Sequence, residues 1–474
     1  MKFYIIPLIM SVFVSGCMDT TYAPEDHAYF GGEIINPKNN YVTLHLAEDQ
    51  VDTLFLDEEN RFFKKIDDVK SGLYAFLHGG EYQLVLLEPQ DSVMLRLNTL
   101  DFDESLVFTG IGSKKNNYLI KSFLQDESED KKKSTLFKMS PEEFEDYLNS
   151  KREEKKEHLS LFLEKYPSSE FFKNIAEANI DYNNYYYREV YPFGYYGDSK
   201  LVHFKDLPEH FYDFRKDINY NFEALREYAT YNRFLIAHFN NLALDEYYKN
   251  TDQHLYFDRQ SLKYNLKKLE LIDSLVNVDA IKNYLLKVNI RESIYMNDDL
   301  DETKQLLASY LEKSTSEIDK KDVNNLVTRL NRLKPGEPIP DVTLVNVMDE
   351  PQNLKSLIDK PTVIYFWSSN FDLNHKNLYY RTKKLKDRYP DLNVIAININ
   401  DENKMYWKNT LKRNKFSTQN EYRFENLGEG MKTLVINSVY TILLVDSSGH
   451  IISSKNSLYS KEFENNFEKL IAQK

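Results

Sequence analysis

The chain has 474 residues, of which 42% are hydrophobic and 28% are charged. At about 150 residues per domain, this length predicts about three domains, and the composition is typical of a folded globular protein. The formal net charge of −13 would repel a polyanion, so we expect no nucleic-acid partner. The single cysteine excludes an internal disulfide, a Cys-x-x-Cys pair within one chain and a thiolate-rich metal site.

The N-terminal segment has the pattern of a secretion signal. Lys2 is followed by an apolar run from Phe3 to Val14, and small residues then precede the cysteine in Val14-Ser15-Gly16-Cys17. This pattern resembles the lipobox of bacterial lipoproteins. The resemblance implies that residues 1–16 are a lipoprotein signal peptide, that Cys17 is lipidated, and that residues 17–26 are a tether. An ordinary cleavable signal with an incidental cysteine is the alternative.

The apolar run is shorter than the roughly 20 residues that a transmembrane helix needs. Two or more acyl chains hold a water-soluble domain on a bilayer, whereas a single chain anchors it only marginally. We therefore expect the chain to contact the membrane through its N-terminal lipid. We place it in the cell envelope, at the outer membrane and facing the periplasm.

Residues 27–112 show short β-type runs separated by turns. The runs 73–77 and 82–87 flank Gly79-Gly80, which indicates a hairpin. The segment therefore predicts an N-terminal antiparallel β-domain, a sandwich or a barrel. It ends in Phe108-Thr109-Gly110-Ile111-Gly112, which resembles the end of the β-domain often fused to thioredoxin-like domains in periplasmic lipoproteins.

Residues 113–333 have helical apolar spacing and predict a helical middle domain. Ser140-Pro141-Glu142-Glu143 combines an N-cap serine, a proline at the first helical position and a capping-box glutamate. Further helices are predicted over 170–187, 209–248 and 258–277. The predicted fold class is therefore multidomain α+β, with a helical region between two parts that contain sheets.

The proline-dense stretch 335–341 marks the start of a third domain, residues 334–474, in which strands alternate with helices. Three segments, 336–344, 361–369 and 441–451, resemble motifs of TlpA-type and peroxiredoxin-type (AhpC/TSA-like) thioredoxin folds. The resemblance implies a C-terminal α/β thioredoxin-like domain. It also implies thiol-disulfide oxidoreductase activity, which is the alternative function.

The redox site of that family is degenerate here. Phe371 and Asn374 stand where the resemblance places the two cysteines, and Tyr440 stands where it places a cis-proline. Because a non-proline cis peptide costs about 3 kcal/mol, we expect a trans bond before Tyr440. Dithiol exchange needs sulfur, so we predict a redox-inactive domain with no catalytic residue and no cofactor.

The residues around this degenerate site are candidates for binding a protein or peptide partner in the envelope, because aromatic and amide side chains suit a peptide groove. The candidates are Trp367, Asn370, Phe371, Asp372, Asn374, Tyr440 and Thr441. The alternative, which we favour for Trp367 and Phe371, is that both rings fill the space that the cysteines leave.

The densest aromatic patch runs from Asp181 to Tyr187 and continues to Tyr196. It could stack on sugar rings, which would make the chain a glycan-binding lipoprotein. Packing of these tyrosines within the helical domain is the stronger interpretation. The ten histidines show no metal-binding spacing, so we expect no metal site.

Overall fold

The computed structural model describes residues 26–45, 51–196, 207–249, 257–297, 299–369, 372–399, 404–458 and 460–472. The predicted leader, Cys17 and almost all of the tether lie outside these ranges, as do Asn370 and Phe371. The chain divides into two compact units, Met1–Asn289 and Ile290–Lys474.

The first unit begins with two four-stranded sheets. The strands are β1 (Ala28–Ile35), β2 (Tyr41–His45), β3 (Val51–Phe55), β4 (Arg61–Ile66), β5 (Gly72–His78), β6 (Glu81–Leu87), β7 (Ser92–Asn98) and β8 (Val107–Ile111). Their orders are β4-β1-β7-β8 and β3-β2-β5-β6, and the inner faces of both sheets share one core that includes Phe30, Val42, Phe76 and Val93. The strands therefore form a sandwich.

One strand pair departs from the antiparallel prediction. β1 and β7 are parallel, with Phe30 opposite Val93, whereas the other pairs in the two sheets are antiparallel. A parallel pair needs a long connection, and here the chain builds five other strands between β1 and β7. Local alternation in the sequence cannot reveal that pairing.

The glycines that end the sandwich are required by close approach. Gly110 has φ of 89°, and a Cβ there would lie 2.0 Å from the Ser92 carbonyl oxygen. Gly112 has the same φ, and its Cβ would lie 2.5 Å from the Asp91 carboxylate. Only glycine combines this left-handed backbone with so little space, so the chain can turn here from β8 into a helix.

Two adjacent asparagines attach that helix, α2 (Ser113–Asp130), to the sandwich. Asn116 accepts a hydrogen bond from the Leu86 N–H at 2.7 Å and donates to the Leu86 carbonyl at 2.9 Å. Asn117 pairs in the same way with both backbone groups of Phe108, at 2.9 and 2.7 Å. Each side-chain amide therefore pairs with a backbone N–H and C=O as a neighbouring strand would. Without these bonds, the backbone groups of Leu86 and Phe108 would be buried without partners.

The rest of the first unit is helical. Besides α1 (Phe102–Ser105), its helices are α3 (Lys133–Leu136), α4 (Pro141–Lys165), α5 (Glu170–Tyr196), α6 (Ala229–Lys249), α7 (Leu262–Leu275) and most of α8 (Asp279–Met296). The Ser140–Glu143 capping box predicted for α4 is present in both directions. The predicted helix 209–248 is wrong in its first half, because the helix begins at Ala229 and two short 3-10 turns precede it.

A buried polar network connects α5 with α6 and with the segment before α6. The fully buried Glu189 of α5 accepts two hydrogen bonds from Arg215, at 2.6 and 2.9 Å, and one from Asn241 at 2.6 Å. His238 Nδ1 lies 2.6 Å from the same carboxylate. Burial would raise the pKa of Glu189, but Arg215 and His238 outweigh it and hold that pKa below its usual range. The network holds Arg215, in the first 3-10 turn before α6, against α5.

The second unit contains α9 (Leu300–Lys313), α10 (Glu317–Asn331) and a seven-stranded sheet in the order β10-β9-β13-β12-β11-β14-β15. Its strands are β9 (Thr343–Asn346), β10 (Pro351–Asn353), β11 (Thr362–Trp367), β12 (Asn393–Asn398), β13 (Glu421–Phe424), β14 (Ile442–Val445) and β15 (Ile451–Asn456). Its other helices are α11 (Asp372–Arg388), α12 (Lys404–Asn414), α13 (Leu427–Thr433) and α14 (Lys461–Ala472).

The sheet of the second unit is covered on both faces. Ile364 and Phe366 of β11 belong to one core cluster, and Val363, Tyr365 and Trp367 belong to another. The second cluster includes residues of α11, α12 and α14, and α13 contributes to the first. β11 is therefore buried on both sides, which explains its unbroken apolar sequence.

The boundary between the units falls inside the region predicted as one helical domain, residues 113–333. Leu333 belongs to a core cluster of the C-terminal sheet, and Ser454 donates a 2.7 Å hydrogen bond to its carbonyl. These contacts tie the chain before the proline-rich stretch to the sheet that follows it. The high proline content marks that stretch in the sequence, but it does not show which helices pack with the sheet.

Replacing Gly110 with alanine is expected to destabilise the first unit by about 2 kcal/mol or more, because the strained φ and the contact with Ser92 add. Gly80 is the matched control, since its φ is 87° and a Cβ there meets nothing within 4 Å. Urea unfolding followed by circular dichroism measures both variants. Equal losses in Gly110→Ala and Gly80→Ala would contradict the close-approach argument.

Candidate functional site

The candidate site lies where β11 leads into α11. Ser368 and Ser369 follow the strand and are buried. Asn370 and Phe371 lie outside the described residues, and Asp372 and Asn374 lie in the first turn of α11 with side chains that are likewise not described. Of the predicted positions, the structure therefore gives the side-chain surroundings of Trp367, Tyr440 and Thr441.

Trp367 is at the end of β11 and is fully buried. Its indole stacks on the imidazole of His375 in α11, with ring centroids 3.6 Å apart and planes inclined by 10°. Its Nε1–H donates a 3.1 Å hydrogen bond to Glu421 on β13. Trp367 is therefore part of the interior.

His375 extends the closed stack beyond Trp367. Its side chain is fully buried, and its ring meets the edge of Phe416 at 4.9 Å with an interplanar angle of 82°. Phe416 in turn stacks on Tyr379 at 3.9 Å. The start of α11 is thus packed on a continuous series of rings, each pair in one of the favoured aromatic geometries.

Glu421 is the acidic member of the cluster. It is almost fully buried, and burial raises its pKa well above the usual value even though the Trp367 N–H bond acts in the opposite direction. Tyr365, also buried, has its pKa raised by the same cause. Burial therefore favours the protonated form of the Glu421 carboxyl, which accepts the indole hydrogen bond.

The second predicted position, at the start of β14, is exposed. Tyr440 is 51% exposed, and Thr441 is partly buried. The Tyr440 and Thr441 N–H groups donate to the Ser438 hydroxyl and carbonyl at 3.1 and 3.2 Å. The described residues contain no cis peptide bond, which agrees with the trans bond expected before Tyr440.

The aromatic patch of α5 is mostly interior. Tyr182, Tyr187 and Tyr191 are buried, and Tyr191 stacks on Phe144 at 4.0 Å. Tyr185, which is partly buried, stacks on Phe214 at 4.4 Å. Packing within the helical region therefore accounts for this patch better than a glycan surface.

The sequence did not indicate that His375 and Glu421 belong to this site. Neither stands in a motif, and the two residues meet Trp367 from elements that are far apart in the chain. Since β13 has only four residues, Glu421-Tyr422-Arg423-Phe424, it was not predicted as a strand. The sequence offered one indication of this strand, namely Glu421 followed by the alternating aromatic residues Tyr422 and Phe424. The same pattern is also typical of an exposed turn.

The sheet of the second unit has the topology of a thioredoxin-like fold. β11, β12 and β13 are parallel, with α11 and α12 as the connections between them. β14 lies antiparallel to β11 on its other side, followed by β15 and α14. The chain therefore contains a thioredoxin-like domain, and its candidate site lies at the strand-to-helix connection after the central strand.

Two solved structures of Bacteroides proteins are among those similar to this chain. The thioredoxin domain of a thiol-disulfide oxidoreductase from Bacteroides vulgatus is 16% identical, with 29% of this chain and 99% of that domain covered and a TM-score of 0.24. A thiol:disulfide interchange protein from Bacteroides sp. is 19% identical, with 30% and 91% covered and a TM-score of 0.25. No family model and no curated protein matches the chain.

As the pH rises above 4.5, the wild type is expected to lose unfolding free energy relative to the Glu421→Gln variant. The folded state holds the Glu421 proton to a higher pH than the unfolded state, whose pKa is near 4.5, so the wild type loses stability between pH 4.5 and the raised folded pKa. The glutamine variant lacks this loss. The difference should grow by up to about 1.4 kcal/mol per pH unit in that window.

Tryptophan fluorescence during urea unfolding is the appropriate readout, because both tryptophans of the chain, Trp367 and Trp407, lie in the second unit. Comparing the two proteins at each pH cancels the titration of every other group. A stability difference that stays constant from pH 4.5 to pH 8 would show that Glu421 is not held protonated.

Proposed function

We propose that this chain is a lipid-anchored protein of the cell envelope whose thioredoxin-like domain binds a protein or peptide partner and does not exchange disulfides. Disulfide exchange requires a thiolate as nucleophile. Cys17 is the single cysteine of the chain, and it directly follows the predicted signal peptide. Phe371 and Asn374 supply no sulfur at the two positions where the resemblance places it.

The observation that carries this proposal is the exposed Tyr440 ring in the loop before β14, whereas Trp367, also a binding candidate in the sequence, is buried. A residue at this position that served chemistry or ligand binding would need a surface, whereas Trp367 is held by His375 on one side and by Glu421 at its N–H. The space around the strand end is used for packing. We infer that the domain acts through its surface, by binding a partner.

The surface available for a partner includes the loop before β14. Tyr440 presents a large aromatic ring that is 51% exposed, and tyrosine is enriched among the residues that dominate binding energy in interfaces. Thr441 adjoins it, and the sequence places Asn370, Phe371, Asp372 and Asn374 at the neighbouring strand-to-helix connection of this fold. This group of polar and aromatic residues suits an extended peptide segment.

The predicted anchor completes the proposal. Among the described residues, the structure contains no helix that is both long and apolar enough to cross a bilayer. Lipidation of Cys17 would hold the folded units at the membrane surface through residues 17–26. In this proposal the anchor is in the outer membrane and the folded units face the periplasm.

The chain from residue 18 onward is expected to show no disulfide reductase activity. In an insulin-reduction assay driven by dithiothreitol, its rate should equal that of dithiothreitol alone, because residues 18–474 contain no thiol. The control is a double variant, Phe371→Cys with Asn374→Cys, which supplies two thiols at family spacing and should raise the rate. Turnover by the unmodified chain would contradict the proposal.

Cys17 is expected to carry lipid in the full-length protein. Growth with radiolabelled palmitate should label the wild type and place it in the membrane fraction, whereas Cys17→Ser should be unlabelled. Cys17→Ser keeps the size and polarity of the side chain while it removes the sulfur that acylation needs. Release of an unlabelled wild-type protein into the soluble fraction would show an ordinary cleaved signal instead.

A further inference from the structure

The first unit contains a cavity of about 620 Å³ that no part of the proposed function uses. The β5–β6 hairpin forms one wall and α6 forms another, and residues of α5 and α8 complete the lining. The aliphatic part of the lining includes Ala75, Leu77, Leu84, Val190, Ile236 and Ala237. Ligand sites in proteins commonly have volumes of about 300–1,000 Å³, so this cavity has the size of a binding site.

Asn232 of α6 brings an acceptor without a partner to this lining. The residue is 7% exposed, and its Nδ2 donates a 2.7 Å hydrogen bond to the Arg226 carbonyl. Its Oδ1 is buried and has no hydrogen-bond partner within the described part of the chain. A buried acceptor without a partner is costly, so Asn232 indicates a bound group that donates to it.

The next residue of α6, Arg233, brings a donor without a partner. Its Nη1 pairs with Asp130, its Nη2 donates to the Asn183 side chain at 2.9 Å, and its guanidinium lies over the Tyr186 ring at 4.0 Å. These contacts hold the guanidinium in place. Among the described residues, its buried Nε has no acceptor. The cavity is therefore lined by one unused acceptor and one unused donor, on consecutive residues.

The charges of the lining do not select an ion. Asp130 neutralises Arg233 through their ion pair. Glu227 is the second charged residue of the lining, and its exposed carboxylate lies 3.8 Å from Arg226. A carboxylate in such an exposed position attracts a cation only weakly. The ligand that matches the unused donor and acceptor is therefore uncharged.

A peptide backbone is the uncharged ligand that fits this lining best. Each peptide group carries an N–H donor and a C=O acceptor, which are the two partners that Asn232 and Arg233 lack. A sugar is also uncharged, but it has several hydroxyl groups. Against the aliphatic walls most of these hydroxyls would be buried without partners, which is unfavourable.

The length of the cavity along α6 agrees with a peptide. Asn232 and Asn240 both line it and are eight residues apart, which is about 12 Å along a helix that rises 1.5 Å per residue. An extended peptide covers this distance in about four residues. Its side chains alternate between two faces, so every second side chain can point toward the aliphatic walls.

We propose that this cavity binds a short, uncharged and apolar peptide segment of a partner in extended conformation. A backbone N–H of the segment donates to Asn232 Oδ1, and a backbone carbonyl accepts from the Arg233 Nε–H. Alternate apolar side chains pack on the aliphatic walls and lose their contact with water. Tyr82 of β6 and Tyr284 of α8, which are 56% and 41% exposed, offer ring surface at the opening of the cavity.

The inference goes beyond the proposed function. The residues that carry it lie in the first unit, and none of them is a candidate residue of the thioredoxin-like domain. A change at Asn232 therefore tests this cavity, and a change at Tyr440 tests the proposed function.

Ligand-observed NMR titration of the chain from residue 18, which keeps every described residue, tests the inference with four probes. The first is an acetylated and amidated Ala-Leu-Ala-Leu peptide. Ala-Glu-Ala-Glu and Ala-Lys-Ala-Lys, capped in the same way, have the same backbone with charged side chains, and methyl glucoside represents an uncharged sugar. We expect Ala-Leu-Ala-Leu to bind at least tenfold more tightly than each of the other three. A smaller preference, or no binding of Ala-Leu-Ala-Leu at millimolar concentration, would overturn the proposal.

Two variants locate the bound peptide in this cavity. Asn232→Ala removes the unused acceptor and should weaken Ala-Leu-Ala-Leu about threefold to tenfold, the effect of one hydrogen bond. Ala75→Phe places a ring in the cavity from β5, where an aromatic residue suits the strand, and should weaken the peptide at least tenfold. Unchanged affinity in either folded variant would contradict the inference. Circular dichroism verifies folding, and Ala75→Phe decides the matter if Asn232→Ala does not fold.

Two further variants serve as controls. Asn324→Ala changes an exposed asparagine of α10 whose Nδ2 likewise donates to a backbone carbonyl, and it should leave the affinity unchanged. Tyr440→Asp should also leave it unchanged, because Tyr440 belongs to the second unit. Loss of Ala-Leu-Ala-Leu binding in Tyr440→Asp would assign the peptide to the thioredoxin-like domain and overturn the inference for this cavity.

Discussion

The stack of Trp367 on His375 is the contact on which the thioredoxin-like domain depends where β11 leads into α11. Trp367 ends the central strand β11, His375 lies in α11, and Glu421 of β13 accepts the indole N–H hydrogen bond. One stack and one hydrogen bond therefore tie three elements that are separate in the chain. Aromatic pairs contribute about 0.5–1.5 kcal/mol beyond their buried area, and the hydrogen bond adds about 1 kcal/mol.

The sequence predicted the core of this domain well, for a clear physical reason. β11 and β14 are buried on both faces, so they read as continuous apolar runs bounded by proline, glycine and aspartate. β9 and β13 have four residues each and carry polar residues, and they become strands by pairing with each other. Such pairing is set by the tertiary fold and leaves no periodic signal in so short a segment.

The candidate site was predicted only in part. Local resemblance located the strand-to-helix connection and Tyr440, but it could not show that Trp367 points inward or that His375 and Glu421 meet it. Long-range contacts were missed in the first unit as well. Arg215, in a 3-10 turn before α6, pairs with Glu189 across 26 positions of the chain. Contacts of this kind arise from packing, which the spacing of residue types does not encode.

The central claim is that the protein works by binding a partner, and co-purification tests it most directly. The full-length protein would be isolated from detergent-solubilised membranes in excess dithiothreitol, beside Tyr440→Asp and Met348→Asp. Met348 is the control, since it is an exposed apolar residue of the same unit. We expect a stoichiometric protein partner with the wild type and with Met348→Asp, and we expect Tyr440→Asp to lose it. Recovery of the wild type without a partner, or equal recovery of the partner with all three proteins, would contradict it.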